Sequence, residues 1–81
     1  MIQSKEAFSC QLGNTIRKYR QHKRLTVEEL AWKAGLSYSQ ISRIELGKIM
    51  TSAYTLYVIA QALEIDTDQL FNSLLLKEEV R

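Results

Sequence analysis

Two helix-start signals stand eleven positions apart in this chain, with a glycine between them. The first is Thr26-Val27-Glu28-Glu29. Threonine followed three residues later by glutamate is a capping box: the hydroxyl accepts the backbone N–H of Glu29, and the Glu29 carboxylate reaches back. The second signal is Ser37, with Gln40 three positions on. Between them, Gly35 ends the first helix, because glycine takes a left-handed conformation without steric cost. Only Gly35 and Leu36 are left to join two short helices. The pair must therefore fold as one local unit, and the remaining chain packs around it.

The flanking segments read as helices too. Phe8, Leu12, Ile16 and Tyr19 fall at steps of four, four and three, which predicts a first helix over about Lys5 to Lys23. Val27, Leu30, Ala31 and Ala34 give the second helix its apolar face. In the third, Ile41 and Ile44 point inward, and the helix stops at Gly47. Ser52 is the N-cap of a fourth helix with the stripe Leu56, Ile59, Ala60 and Leu63. Asp66 caps a fifth, over about residues 67–79, with Leu70, Phe71, Leu74 and Leu75 on its apolar face. The absence of proline and the presence of only three glycines agree with an all-α fold. The expectation is one compact five-helix domain over residues 1–81.

Several function classes drop out. A chain of 81 residues buries only about 60% of its unfolded surface and holds no deep cleft, so no small-molecule ligand is expected. No apolar run approaches the roughly 18 residues a membrane helix needs. With no signal core at the N-terminus and a single cysteine, Cys10, the reading is a soluble cytoplasmic chain without an intrachain disulfide. There are no paired carboxylates, no nucleophile elbow and no glycine-rich phosphate loop, so no enzyme is expected. His22 has no partner at metal-ligand spacing, so neither metal nor cofactor is expected and His22 reads as a surface residue. Cys10 reads as a packed or half-exposed thiol, and Trp32, Tyr54 and Tyr57 as packing residues.

The net charge of +2 hides a gradient. Residues 17–48 carry eight basic side chains against three acidic ones, and residues 49–81 carry two against five. A basic front with an acidic back is the electrostatic footprint of a polyanion binder. On the third helix Ser37, Tyr38, Ser39, Gln40, Ser42 and Arg43 put donors and acceptors on the outward side. A helix-turn-helix over about 26–46 has this layout, and its second helix fits the major groove, which is about 12 Å wide.

The run Ile16-Arg17-x-x-Arg20, Leu25-Thr26-x-Glu28-Glu29-Leu30-Ala31, Ala34-Gly35-Leu36-Ser37 and Ile41-Ser42-Arg43-Ile44-Glu45-x-Gly47-Lys48 resembles the Xre and lambda-repressor-like helix-turn-helix family. Ile59-Ala60-x-Ala62-Leu63 with Leu70-Phe71 completes the pattern. Each fragment is weak by itself; their order and spacing make the resemblance specific, over about residues 12 to 71. It implies a compact lambda-repressor-like domain that binds double-stranded DNA, a transcriptional regulator acting as a homodimer on a two-fold symmetric operator. Restriction-modification controller proteins and Cro-type repressors are stand-alone members of this size. By the resemblance, Tyr38, Ser39, Ser42 and Arg43 face base edges, and Arg43 is the candidate for a bidentate contact to guanine. Arg17, Gln40, Lys48, Thr51 and Ser52 are assigned to the DNA backbone, with Thr26, Val27 and Ser37 at the helix starts. Arg17, Lys18, Lys33, Arg43 and Lys48 supply the salt-dependent attraction. Arg20 and Glu45 match a structural ion pair between the first helix and the end of the third. Val27 departs from the family, which has a phosphate-clasping glutamine there; only the Val27 backbone N–H remains for that purpose. Leu74, Leu75, Leu76 and Val80 are expected at the dimer interface. An antitoxin-like protein-interaction module with secondary DNA binding is the alternative from another class.

Overall fold

The computed structural model describes residues 2–72, and all of its regular structure is helical. Helix α1 spans Lys5–His22, α2 Val27–Ala34, α3 Tyr38–Glu45 and α4 Ala53–Leu63. A fifth helix, α5, runs over 67–72 to the last described residue. Leu74, Leu75, Leu76 and Val80, and the rest of the segment expected to reach 79, lie outside the described residues.

Local side-chain chemistry sets the helix starts. Ser4, Thr26, Ser37 and Ser52 all have extended backbone, and each hydroxyl accepts a backbone N–H from three residues ahead. Satisfying one of the orphan donors in this way is worth about 1 kcal/mol per cap. Ser4 is a start that the sequence reading did not single out. At α5, the Gln69 side chain accepts the backbone N–H of Asp66 at 2.9 Å. Between α2 and α3, Gly35 sits at φ +73°, and the N–H of Leu36 returns to the carbonyl of Ala31 at 2.9 Å. This left-handed closure is the Schellman pattern that lets two helices follow each other with so little chain between.

One core joins all five helices. Leu12, Ile16, Leu30, Ala31, Ile41, Ile44, Leu56, Ile59, Ala60, Leu63 and Leu70 are buried, and Phe8, Tyr19, Leu25, Val27 and Phe71 pack against them. Phe8 stacks with Phe71 at 6.2 Å between ring centroids, which ties α5 back onto α1. Helix α1 approaches the last turn of α3 closely at Gly13. A Cβ at this position would overlap the carbonyl oxygens of Ile44 and Glu45. The glycine is there for close approach of backbones, a tertiary demand without a local sequence signature.

Three aromatic residues correct the sequence reading. Trp32 is 83% exposed, Tyr54 69% and Tyr57 52%. None is a core residue. Trp32 falls off the α2 stripe formed by Val27, Leu30, Ala31 and Ala34, so helical geometry turns it outward whatever its hydrophobicity. Tyr54 and Tyr57 lie off the stripe of α4 for the same reason, and their rings pair with each other at 6.4 Å. Cys10 is an exposed thiol, with the backbone of Gly47 packed beside it.

Candidate nucleic-acid interface

Helix α3 is eight residues long, and its position is fixed from both ends. At its start, Ser37 and Gln40 form a reciprocal capping box: the Ser37 hydroxyl accepts the Gln40 backbone N–H at 3.1 Å, and Gln40 Oε1 accepts the Ser37 N–H at 3.2 Å. Ile41 and Ile44 are buried against the core. With those two positions inward, Tyr38, Ser39, Gln40 and Arg43 are exposed and Ser42 is half-buried. The outward side is thus polar and carries no carboxylate. Arg43 supplies a five-donor planar fork, and Ser39 and Ser42 can donate or accept.

At the other end, Glu45 is buried although it is charged. The Arg20 guanidinium meets it with two bonds, Nε to Oε2 at 2.6 Å and Nη2 to Oε1 at 3.0 Å. A third donor, Nη1, reaches the carbonyl of Leu25 at 2.8 Å. One side chain therefore clamps α1, the α1–α2 turn and the end of α3 together. The Arg20 and Glu45 side chains are only 11% and 6% exposed, so water screens the pair little. The hydrogen bonds to Glu45 hold the Arg20 pKa above its ordinary value, against an opposing effect of burial. Glu45 is consumed by this contact and does not face solvent beside the outward residues of α3.

The remaining residues assigned to DNA stand at the starts of α2 and α4 and in the loop before α4. At α2, the Thr26 hydroxyl accepts the Glu29 N–H at 3.0 Å and Glu29 Oε1 accepts the Thr26 N–H at 2.8 Å. The capping box therefore occupies the side chains of both residues, as it does Ser37 and the carbonyl oxygen of Gln40. The Gln40 amide nitrogen keeps its donors for another partner. Val27 is half-buried and its side chain packs on the core, which leaves its backbone N–H as the polar group at that position. At α4, the Ser52 hydroxyl accepts the Thr55 N–H at 3.1 Å and donates to the Thr55 hydroxyl at 3.0 Å. Arg17, Lys48 and Ser52 are exposed and Thr51 is half-buried. The loop carrying Lys48 and Thr51 is tied to α1 where the buried Ser9 hydroxyl donates to the Met50 sulfur at 2.9 Å. Neither Ser9 nor Gly13 was legible as a positioning residue, since both act on partners more than 30 positions away in the chain.

Among the described residues no helix is long and apolar enough to cross a membrane, and no group of three or more His, Cys, Asp or Glu side chains could hold a metal ion.

Fold and site together define a helix-turn-helix protein of lambda-repressor-like architecture: a capped pair of short helices, the second braced at both ends with a polar outward side. Residues 13–74 match the helix-turn-helix domain family, and the chain belongs to it. A curated relative from Rhodospirillum rubrum, an uncharacterized transcriptional regulator in the ATPase CF(0) region, is 38% identical over 63 residues, which are 78% of this chain. The aligned part spans 58% of that relative's length. Among solved structures, the restriction-modification controller protein C.AhdI from Aeromonas hydrophila superposes with a TM-score of 0.79 at 32% identity, over 80% of this chain and 98% of that one. An HTH_3 family transcriptional regulator from Vibrio cholerae superposes with a TM-score of 0.82 at 26% identity, over 86% of this chain and 39% of that one.

Proposed function

We propose that this chain is a DNA-binding transcriptional regulator that binds a two-fold symmetric operator as a homodimer, with α3 in the major groove. The observation that carries the reading is the outward side of α3. Tyr38, Ser39, Ser42 and Arg43 stand on one short helix that a capping box and a clamped arginine hold rigid. A rigid helix with donors outward is what base-edge reading needs. Arg43 is the residue assigned to guanine, by a bidentate contact. Ser39 and Ser42 contact neighbouring edges, and Tyr38 packs on a thymine methyl or bonds a phosphate.

The backbone contacts follow from the flanks. Arg17 and Lys48 meet phosphates with charge, Thr51, Ser52 and the Gln40 amide with hydrogen bonds, and Val27 through its backbone N–H at the start of α2, while Thr26 and Ser37, whose N–H groups donate within their capping boxes, set the helix starts that face the DNA backbone. The regulator names of the relatives and neighbours support the reading. In a homodimer built on Leu74, Leu75 and Leu76, the two copies of α3 would enter successive major grooves, about 34 Å apart.

A binding selection on random duplex DNA tests this. A palindromic motif with half-sites about one helical turn apart is expected. Size-exclusion chromatography with light scattering should give a dimer at tens of micromolar. Absence of any enriched motif would overturn the sequence-specific part of the proposal, and a strict monomer the dimeric part.

A further inference from the structure

The loop between α3 and α4 is fastened to α1 at two neighbouring points. Gly47 packs so closely on Cys10 that a Cβ at position 47 would meet the Cys10 Cα and Sγ at 2.9 Å. One residue back on α1, the buried Ser9 hydroxyl donates to the Met50 sulfur at 2.9 Å. Lys48 and Thr51, assigned above to DNA phosphates, stand beside these anchors in the chain. A thioether is an unusual choice for such a bond, because it is a weak acceptor and is open to oxidation. Met50 is 51% exposed, so an oxidant in solution reaches a side chain whose sulfur is holding a buried hydroxyl.

We propose that Met50 is an oxidation site, and that its sulfoxide frees the α3–α4 loop from α1 and weakens the hold on DNA. The inference rests on the DNA-binding reading above. The oxidant is a peroxide. A lone pair of the Met50 sulfur attacks one oxygen of hydrogen peroxide, and the O–O bond breaks as an S–O bond forms. The proton of the transferred hydroxyl passes to the departing hydroxide, which leaves as water. The thioether is oxidised to the sulfoxide and the peroxide is reduced. The product is polar and chiral where the reactant was apolar and flexible. Its oxygen needs room on a sulfur already in contact with Ser9, which is 8% exposed. Ser9 is fixed in α1 and cannot retreat, so the loop moves. Helix α3 is held separately, by its capping box and by Arg20. Base preference is therefore kept, while the phosphate contacts of Lys48 and Thr51 are lost. Reduction of the sulfoxide restores the loop, so the step is reversible.

The test treats the chain with hydrogen peroxide, follows Met50 by peptide mass spectrometry, and measures affinity for the selected duplex across a salt series. Full conversion of Met50 should weaken binding about fivefold and make the salt dependence shallower by about one phosphate contact, with base preference unchanged. Treatment with methionine sulfoxide reductases should restore both. The response to peroxide should be the same in Cys10→Ser and absent in Met50→Leu. Ser9→Ala should bind as weakly before treatment as the original chain does after it. The inference is overturned by unchanged or tighter binding of the oxidised chain, by a response that persists in Met50→Leu or vanishes in Cys10→Ser, or by a Met50 that peroxide does not convert. Each of these leaves the DNA-binding reading standing. A chain that binds no duplex before treatment overturns that reading itself, and this inference with it.

Discussion

Helices α2 and α3 are near twins in construction and opposites in what they present. Each is eight residues long, begins with a reciprocal capping box and buries an apolar stripe in the same core. Yet α2 turns Glu28, Glu29, Trp32 and Lys33 outward, whereas α3 turns out Tyr38, Ser39, Gln40 and Arg43. The inward stripes and caps are interchangeable solutions to one folding problem. The outward positions are free of that problem, so there the two helices can differ in chemistry without any cost to the fold. On the proposed function, the hydroxyls and guanidinium of α3, without nearby free carboxylates, suit DNA, and the carboxylates of α2 do not.

The two helices also differ in how the far end is held, and there the largest effect is expected. Both helices close locally on a left-handed glycine, α2 on Gly35 and α3 on Gly47, but α3 is clamped in addition by Arg20 from α1. Arg20→Ala strands Glu45 in a buried position and should cost about 3 kcal/mol in urea denaturation. Replacing both members together, Arg20→Met with Glu45→Leu, should cost far less, because no unpaired charge remains. A double variant as damaged as the single one would show that the clamp acts through packing and not charge.

Gly13→Ala comes next. The added methyl meets the carbonyl oxygens at the end of α3, and backbone there has little freedom to retreat. A loss of about 2 kcal/mol is expected by the same measurement. Full stability would mean that α1 and α3 can separate without consequence, and the tertiary bracing that sets α3 apart from α2 would count for nothing.

The caps sharpen the comparison on its shared feature. Thr26→Ala and Ser37→Ala should each cost about 1 kcal/mol, since each removes an equivalent cap. Their effects on DNA affinity should follow the loss of rigidity in each helix, with Ser37→Ala the larger. The smallest stability effect belongs to Trp32→Ala, within about 0.5 kcal/mol, because a side chain so exposed holds nothing in place. A cooperative unfolding midpoint that falls sharply in this variant would return Trp32 to the core.

Local chemistry explains what was legible in the sequence. Thr26 with Glu29, Ser37 with Gln40, Ser52 and Gly35 all act within a few residues of themselves, so spacing alone reveals them. The stripes led to the core for the same reason. Residue type misled at Trp32, Tyr54 and Tyr57, where position on the helix decides burial and hydrophobicity does not. Gly13, and Ser9 with Met50, were silent because their partners arrive only when distant segments pack. The Arg20–Glu45 pairing was available only through family resemblance: 25 positions separate two charges that have many other possible partners. For the candidate site, the outward positions of α3 follow from the placement of Ile41 and Ile44, but which base each would read does not follow from the fold.

The proposed function turns on whether α3 reads base edges through Arg43. The direct measurement is the affinity of the unmodified chain and of Arg43→Ala for the selected duplex and for the same duplex altered at each base pair, across a salt series. Arg43→Ala should weaken binding to the selected site by about 1–3 kcal/mol and relax discrimination at one guanine per half-site. Both chains should keep a steep salt dependence from the remaining phosphate contacts. Equal affinity and an unchanged base preference in the variant would contradict it.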